Sequence, residues 1–219
     1  MRLILTTICL VLSAYIPAYA ECDVPNDEIL ESILRVVGES PEGNMVQGSA
    51  VVVSNNRVIT AAHVIEDLHH LNIRVGNTSR PAKVIFTSSD RDIALLEVDT
   101  SGLNAIRFSE NHLNTNDQVW AIGYPLGGNL TSSAGEFVKK LNPYKLHTTA
   151  EVNHGQSGGG LISCTDGNYS LAGMIISYGA VVRDGEYVRL SDYSVAVTTD
   201  EVSSLITIME PDFALTLAD

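Results

Sequence analysis

Most of this sequence consists of short runs of β-branched and other apolar residues, separated by turn-forming residues. The predicted strands cover residues 48–53, 57–60, 73–75, 83–86, 93–98, 119–122, 136–139, 146–152, 161–163, 171–177, 186–190 and 194–197. Gly, Asn, Asp or Pro separates most of them, as is typical of β-strands joined by tight turns. Such spacing leaves little room for the crossover helices that parallel strands need. The pattern therefore predicts an all-β fold of antiparallel barrels or a sandwich.

The length and composition are compatible with one sizeable folded unit made of two halves. The chain has 219 residues, of which 45% are hydrophobic, so it can bury a substantial core. The stretch 107–117 is polar and lacks periodicity, so we expect it to connect the halves. This places barrel one at about residues 40–106 and barrel two at about 117–200.

Helical signals occur at both ends of the strand series. Residues 26–34 fit a short helix capped by Asn26, but residues 33–37 fit a strand equally well, and this boundary stays open. Near the C-terminal end, apolar residues of the stretch 200–209 recur at helical spacing. Thr198 or Thr199 can cap this helix.

The first twenty residues have the features of a secretory signal peptide. Positive charge at Arg2 precedes an apolar run, and Ala18 and Ala20 form a small-residue cleavage pattern. The apolar run is shorter than the roughly 20 residues that span a bilayer, which disfavours a membrane anchor. We expect cleavage after Ala20, a mature domain of residues 21–219 that is secreted or periplasmic, and no membrane span in it.

Charge and cysteine content restrict the classes of partner. The formal net charge of −13 disfavours binding to nucleic acid or anionic lipid. After signal removal the cysteines are Cys22 and Cys164, which either form a disulfide or remain two thiols. No C-x-x-C spacing supports zinc, and the adjacent His69 and His70 read as a solvated loop. No metal or cofactor is expected.

Three segments carry residues suited to nucleophilic catalysis. His63 ends one apolar strand, Asp92 opens another, and Ser157 lies in a glycine-rich turn before a third. A serine hydroxyl needs a general base, which imidazole supplies near neutral pH, and a buried carboxylate would orient that imidazole. The N–H groups of Gly155 and Ser157 would stabilise the oxyanion. Asp90 is the competing carboxylate, but Asp92 adjoins the apolar run.

The serine turn also matches the G-x-S-x-G nucleophile elbow of α/β-hydrolases. In that class the acid and the histidine follow the serine in the chain. Here the last histidine is His154, which precedes Ser157. The order of residues therefore excludes an α/β-hydrolase that uses a histidine base.

The motifs TAAH ending at His63, DIALL beginning at Asp92 and GQSGGGL around Ser157 together resemble the trypsin/chymotrypsin-type serine peptidases. The stretches 48–50 and 121–127 resemble most closely the bacterial HtrA-type (Deg) branch. The resemblance covers roughly residues 45–200, without the PDZ domains usual in that branch. It implies two six-stranded antiparallel β-barrels, chymotrypsin-like, and the helical spacing of residues 200–209 adds a short C-terminal helix to this fold. It also implies peptide-bond hydrolysis through an acyl-enzyme, with proteins or peptides as substrates.

The resemblance implies substrate-binding residues on both sides of the serine. Glu151 occupies a position that often lies at the base of the primary pocket, where it would favour Arg or Lys, unless it points elsewhere. Ser177, Tyr178 and Gly179 would pair through their backbones with an extended substrate. Ser177 would also touch the catalytic Asp, and Gly179 would leave the pocket entrance open.

One departure from the trypsin pattern concerns activation. Trypsin-like zymogens have Asp directly before the serine, and here Gln156 is neutral. We therefore expect no trypsin-style activation by cleavage. Two alternatives remain at this point: a non-enzymatic protein-binding module on a protease fold, or an esterase on the same fold. The oligomeric state stays open.

Overall fold

The computed structural model describes residues 22–209, and the expected signal peptide lies outside this range. The described chain forms two lobes of antiparallel strands, so the predicted all-β class is confirmed. The first lobe contains β1 (Ile33–Glu39), β2 (Met45–Ser54), β3 (Arg57–Thr60), β4 (His69–Val75), β5 (Thr78–Pro81), β6 (Lys83–Ser88) and β7 (Ile93–Glu97). The second contains β8 (Gln118–Gly123), β9 (Thr131–Asn142), β10 (Lys145–Thr148), β11 (Gly160–Thr165), β12 (Asn168–Arg183) and β13 (Glu186–Thr198).

The first lobe contains seven strands by hydrogen bonding, in the order β5-β4-β1-β2-β3-β7-β6. Only Ala82 separates β5 from β6, and its N–H donates to the carbonyl of Leu71 at 3.0 Å. Pro81 has no N–H, which ends the ladder of β5. β5 and β6 therefore act as one bent strand that pairs with β4 on one side and β7 on the other. Counted this way, the lobe has the six strands expected of a barrel, and it begins at Ile33 rather than near residue 40.

The second lobe is a closed six-stranded barrel, in the order β10-β13-β12-β11-β8-β9. Its interior is filled by apolar side chains such as Phe137, Leu161 and Ile175. A larger apolar cluster runs from the first lobe to the outer face of this barrel, and both Leu95 and Met174 are fully buried in it. This cluster therefore packs the two lobes against each other.

The ambiguous N-terminal segment forms both a helix and a strand. Helix α1 (Asp27–Glu31) begins after Asn26, whose side chain accepts a hydrogen bond from the N–H of Ile29 at 3.1 Å. Strand β1 follows from Ile33. The N-cap prediction is therefore confirmed, and the helix is shorter than the stretch 26–34 that the sequence pattern indicated.

The C-terminal helix α3 (Thr199–Met209) is also confirmed. The hydroxyl of Thr198 accepts a hydrogen bond from the N–H of Glu201 at 3.3 Å, and Val202 and Ile206 are buried beneath the helix. A third helix, α2 (Ala62–Ile65), is a single turn that no periodicity in the sequence indicated.

Some strand predictions are wrong at their boundaries. The predicted strand 146–152 ends at Thr148, because the chain then turns away and Thr149 donates to the carbonyl of Glu136 at 2.9 Å. His69 and His70 start β4 instead of forming a loop, although both are exposed. The predicted strands 186–190 and 194–197 are one continuous strand, β13.

A disulfide joins Cys22 to Cys164, with Cα atoms 5.9 Å apart. It ties the segment before α1 to β11 of the second lobe, across 142 residues of sequence. Of the two alternatives open from the sequence, the structure thus has the disulfide.

Within residues 22–209, none of the helices has the length and apolar character needed to cross a membrane.

Candidate active site

His63 and Asp92 meet at the ends of two paired strands. β3 and β7 pair with Thr60 opposite Ala94, so the residues just beyond them converge. Asp92 Oδ1 accepts a hydrogen bond from the backbone N–H of His63 at 3.0 Å, and Oδ2 lies 2.7 Å from Nδ1 of its ring. The carboxylate therefore fixes both the backbone and the ring of His63, and Nε2 is left as the free ring nitrogen.

The environment of His63 favours the protonated imidazole. The hydrogen bond to Asp92 raises the pKa of His63 above its ordinary value, partial burial opposes this, and the charges of Asp92 and Glu66 add to the rise. In the neutral ring, the Nδ1 proton donated to Asp92 leaves Nε2 as an acceptor. Asp90, the competing carboxylate, is exposed and makes no hydrogen bond to His63 in the described chain.

Ser157 lies next to the strand that leads to His63. A Cβ at Gly158 would overlap the carbonyl of Ser49 and the hydroxyl of Thr60, so only glycine fits this close approach at its φ of 84°. The carbonyl of Ser157 accepts a hydrogen bond from the N–H of Ser49 at 2.9 Å. Its hydroxyl donates to the carbonyl of Ile176 at 3.5 Å, and no hydrogen bond to His63 is present among residues 22–209.

The loop before Ser157 leaves two backbone N–H groups without partners. The carbonyl of His154 accepts a hydrogen bond from Leu126 N–H at 2.7 Å. Because a trans peptide holds its C=O and N–H on opposite sides, this bond turns the Gly155 N–H the other way. Within residues 22–209, neither the Gly155 N–H nor the Ser157 N–H donates to a protein acceptor. This leaves two donors to stabilise a developing oxyanion.

The orientation of this loop depends on residues that sequence reasoning did not single out. The Ser49 hydroxyl donates to the carbonyl of Gly155 at 2.8 Å. Leu126 lies in a tight turn with a φ of 51°, and Arg35 from the first lobe donates to the carbonyl of Gly127 at 3.0 Å. Only the resemblance of the stretches 48–50 and 121–127 to the HtrA-type branch could have pointed to this turn.

Gln156 is part of the scaffold of the loop. Its side chain is 2% exposed, and its Oε1 accepts a hydrogen bond from Asn153 N–H at 2.7 Å. Its Nε2 is buried without a partner in the described chain. Through Oε1 the neutral amide binds the backbone of its own loop, and the expected absence of trypsin-style activation stays a prediction.

A β-bulge precedes Ser177 and places its neighbour Ile176 beside Ser157. The register of β12 against β13 shifts between Ile175 and Ser177, which is a β-bulge. The bulge turns the carbonyl of Ile176 toward Ser157 and leaves Ser177 exposed. Among residues 22–209 no hydrogen bond joins Ser177 to Asp92, and the predicted contact between them stays a prediction.

The carboxylate of Glu151 is paired with an arginine of the same chain. Its Oε1 lies 2.7 Å from Nη2 of Arg189 on β13, and the Glu151 side chain is largely exposed. Arg189 also donates to the carbonyl of Val152. The carboxylate is therefore neutralised from within the protein, which favours the interpretation that it points away from a substrate cation.

Tyr178 and Gly179 each contact an aromatic ring. The hydroxyl of Tyr178 lies 2.7 Å from Nε2 of His154, so the strand after Ser157 is tied to the loop before it. A Cβ at Gly179 would lie 2.7 Å from the ring of Tyr193, which itself stacks on His147 at 3.8 Å. The ring of Tyr193 thus occupies the side of Gly179 on which a Cβ would lie, and the open pocket entrance stays a prediction. Within residues 22–209 no cluster of His, Cys, Asp or Glu has the geometry to hold a metal.

Two β-lobes with an aspartate-bound histidine and a glycine-cradled serine between them define the chymotrypsin-like class. Residues 48–174 match the model of the trypsin-like peptidase domain family, which covers more than half of the chain. The chain belongs to this family.

The relatives of the chain are named as proteases. It is 28% identical over 163 residues to a putative mitochondrial Do-like protease of Arabidopsis thaliana, covering 62% of this chain and 29% of that one. It is 31% identical over 140 residues to a probable periplasmic DegP-like serine endoprotease of Rickettsia prowazekii, covering 58% and 27%. The chain therefore spans less than a third of the length of these relatives.

A solved structure shows the same fold. The active form of a protease from M. tuberculosis superimposes with a TM-score of 0.71 at 22% identity, covering 83% of this chain and 82% of that one. At this identity the match supports the fold and not the details of the site.

Proposed function

We propose that this chain is a serine endopeptidase that acts on proteins or extended peptides. The observation that carries the proposal is the double contact of Asp92 with His63 beside Ser157, whose loop leaves two N–H groups free. Its family and its relatives, which are named as proteases, support the same activity.

In the proposed reaction, Nε2 of His63 takes the proton of the Ser157 hydroxyl as Oγ bonds to the substrate carbonyl carbon. The carbonyl electron pair moves to oxygen, where the N–H groups of Gly155 and Ser157 stabilise it. Collapse of this intermediate breaks the C–N bond, and the leaving amine takes the proton from His63. Water then cleaves the acyl-enzyme ester by the same steps, which restores the Ser157 hydroxyl. Asp92 holds the ring and stabilises the imidazolium throughout.

One observation favours a non-enzymatic binding module. Within the described chain, the Ser157 hydroxyl donates a hydrogen bond to the carbonyl of Ile176 and not to His63. In unliganded enzymes, however, catalytic hydrogen bonds are often long and tighten only when substrate binds. The two interpretations differ in their products, since only an enzyme cuts its ligand. An esterase would share the acyl-enzyme and would differ in its preference for esters over peptides.

Export is the second part of the proposal. The expected signal peptide supports it, and so does the Cys22–Cys164 disulfide, since disulfides persist in oxidising compartments. The relative named as periplasmic supports the same location. N-terminal sequencing of the exported protein tests this: we expect a terminus at Glu21, and an uncleaved chain would contradict it.

Mass spectrometry of products tests the activity. A pool of peptides from a digested proteome is incubated with residues 21–219, beside the Ser157→Ala variant and a set of matched esters. New peptide ends that the variant does not produce would support the endopeptidase. An intact peptide pool together with cleaved esters would favour the esterase, and no cleavage of either by a folded protein would favour the binding module.

The residues expected to bind substrate enter as part of the proposal. The backbones of Ser177, Tyr178 and Gly179 are assigned to strand addition with the substrate. Glu151 stays a candidate for the primary pocket, although Arg189 neutralises it. The peptide ends from the same experiment decide this point, because a Glu151 pocket requires cleavage after Arg or Lys.

A further inference from the structure

The strands β12 and β13 continue past the barrel as a two-stranded hairpin. Val181 pairs with Val188 and Val182 pairs with Tyr187 along it. On the other side of β12, pairing with β11 ends at Met174. In the described chain, the edge of β12 from residue 177 to residue 183 therefore has no strand partner. A free strand edge is a template for pairing with another extended chain.

The hairpin also exposes large apolar side chains. Val182 is 61% exposed and Tyr187 is 84% exposed, and they share a face because they are opposite each other. An isolated two-stranded hairpin is marginally stable in water, and exposed apolar groups beside a free edge are typical of binding surfaces. We call Val182, Tyr187 and the free edge of residues 177–183 the hairpin platform.

The hairpin platform is continuous with the reactive serine. Its edge starts one residue after Ile176, whose carbonyl lies 3.5 Å from Oγ of Ser157. A substrate that pairs antiparallel to β12 has its scissile carbonyl at Ser157 and its N-terminal side toward the hairpin tip. Because extended partners advance together by about 3.3 Å per residue, a residue roughly six positions before the scissile bond lies beside Val182.

We propose that the hairpin platform is a distal subsite for an apolar side chain of an extended substrate segment. This proposal rests on the proposed function and adds a preference to it, which is an apolar residue well before the cleaved bond. The backbone of β12 supplies hydrogen bonds that a substrate of any sequence can make. Val182 and Tyr187 supply the preference for an apolar substrate side chain. A second copy of this chain is the other occupant to consider, but a stable interface needs about 800 Å² from each partner, far more than two side chains.

Peptides of graded length test the proposal. A short peptide ends three residues before the scissile bond, and long peptides carry either Leu or Asp at the sixth and seventh positions before it. The parent is compared with a Val182→Ser, Tyr187→Ser double variant. The control is Met45→Ser, which removes another exposed apolar side chain on β2. We expect the parent to cleave the long Leu peptide about tenfold faster than the other two, since burial of an apolar side chain has that effect. The double variant loses this gain and keeps the short-peptide rate, which also shows that it is folded.

The results separate this proposal from the activity itself. An equal Leu-to-Asp ratio in the parent and the double variant overturns the hairpin platform while the endopeptidase stands. The same holds if the double variant changes only the sedimentation of the protein, because the hairpin would then join two copies. If the folded parent cleaves no peptide, the proposed function fails and the hairpin platform fails with it.

Discussion

Both oxygens of the Asp92 carboxylate contact His63, one through the backbone N–H at 3.0 Å and one through Nδ1 of the ring at 2.7 Å. A single side chain thus fixes the start of helix α2 and the tautomer of the imidazole that follows β3. Asp92 can adopt the required φ of 58° because Asp tolerates the left-handed region better than most residues. The orientation of the proposed general base therefore depends on this residue.

Replacing Asp92 by Asn should lower kcat by about 10⁴-fold, the loss known for this change in trypsin-like enzymes, because the amide favours the wrong tautomer. Asp90→Asn is the matched control, since Asp90 is exposed and makes no hydrogen bond to His63. Steady-state hydrolysis of one peptide by both variants checks this. Equal losses would contradict the assignment of Asp92.

The pH dependence of hydrolysis should follow His63. The hydrogen bond to Asp92 raises its pKa, and only the neutral ring can accept the serine proton. We therefore expect kcat/KM to rise with pH through a midpoint above the ordinary imidazole value, and the midpoint to fall in Asp92→Asn. A midpoint in the parent below that of the variant would contradict this account.

The same pKa has a consequence for stability. Because the folded-state pKa of His63 lies above its unfolded value, protonated His63 stabilises the fold. This contribution is complete below the unfolded pKa and is lost as pH rises through the folded pKa. Urea unfolding of the parent and His63→Ala should therefore show a difference that shrinks as pH rises across this window. A constant difference would mean that the raised pKa has no effect on stability.

Tyr178→Phe should lower kcat by about two- to tenfold, the range for loss of one hydrogen bond, with little change in KM. Its hydroxyl ties Nε2 of His154 in place, and the peptide from His154 to Gly155 carries one of the two oxyanion donors. The control is Tyr144→Phe, because the Tyr144 hydroxyl makes no hydrogen bond within residues 22–209. An unchanged kcat in Tyr178→Phe would show that the loop holds its orientation without this contact.

Reduction of the Cys22–Cys164 disulfide should destabilise the fold by about 2–5 kcal/mol, as expected for a bond that closes a long loop. At low temperature the reduced protein should keep its activity, because the disulfide ties β11 to the segment before α1 and does not involve Ser157. Intact mass before and after reduction establishes the bond, and urea unfolding of Cys22→Ser measures its effect. An unaltered unfolding midpoint would contradict the stabilising role.

The sequence indicated the candidate catalytic residues because each lies beside its own strand. His63 follows β3, Asp92 precedes β7 and Ser157 precedes β11. Local sequence patterns were therefore enough to predict all three as candidates. The cap of α3 by Thr198 followed from local signals as well. Such features depend on hydrogen bonds and burial that span only a few residues.

The features that local patterns missed depend on long-range packing. A β-bulge at Ile176 changes which residue faces Ser157, and no residue type in 175–177 marks it. The ring of Tyr193 fills the space beside Gly179, and Arg189 pairs with Glu151 across 38 residues of sequence. The first contact joins β12 to β13 and the second joins β13 to the loop before Ser157, and periodicity alone gives neither.

Labelling by a fluorophosphonate tests the central claim most directly, because the probe reacts only with a serine that a base activates. Purified residues 21–219 are treated with the probe beside Ser157→Ala and His63→Ala, and the adduct is located by peptide mass spectrometry. We predict one adduct on Ser157 in the parent and none in either variant. A folded parent that stays unlabelled, or that is labelled as fast without His63, would contradict the proposed mechanism.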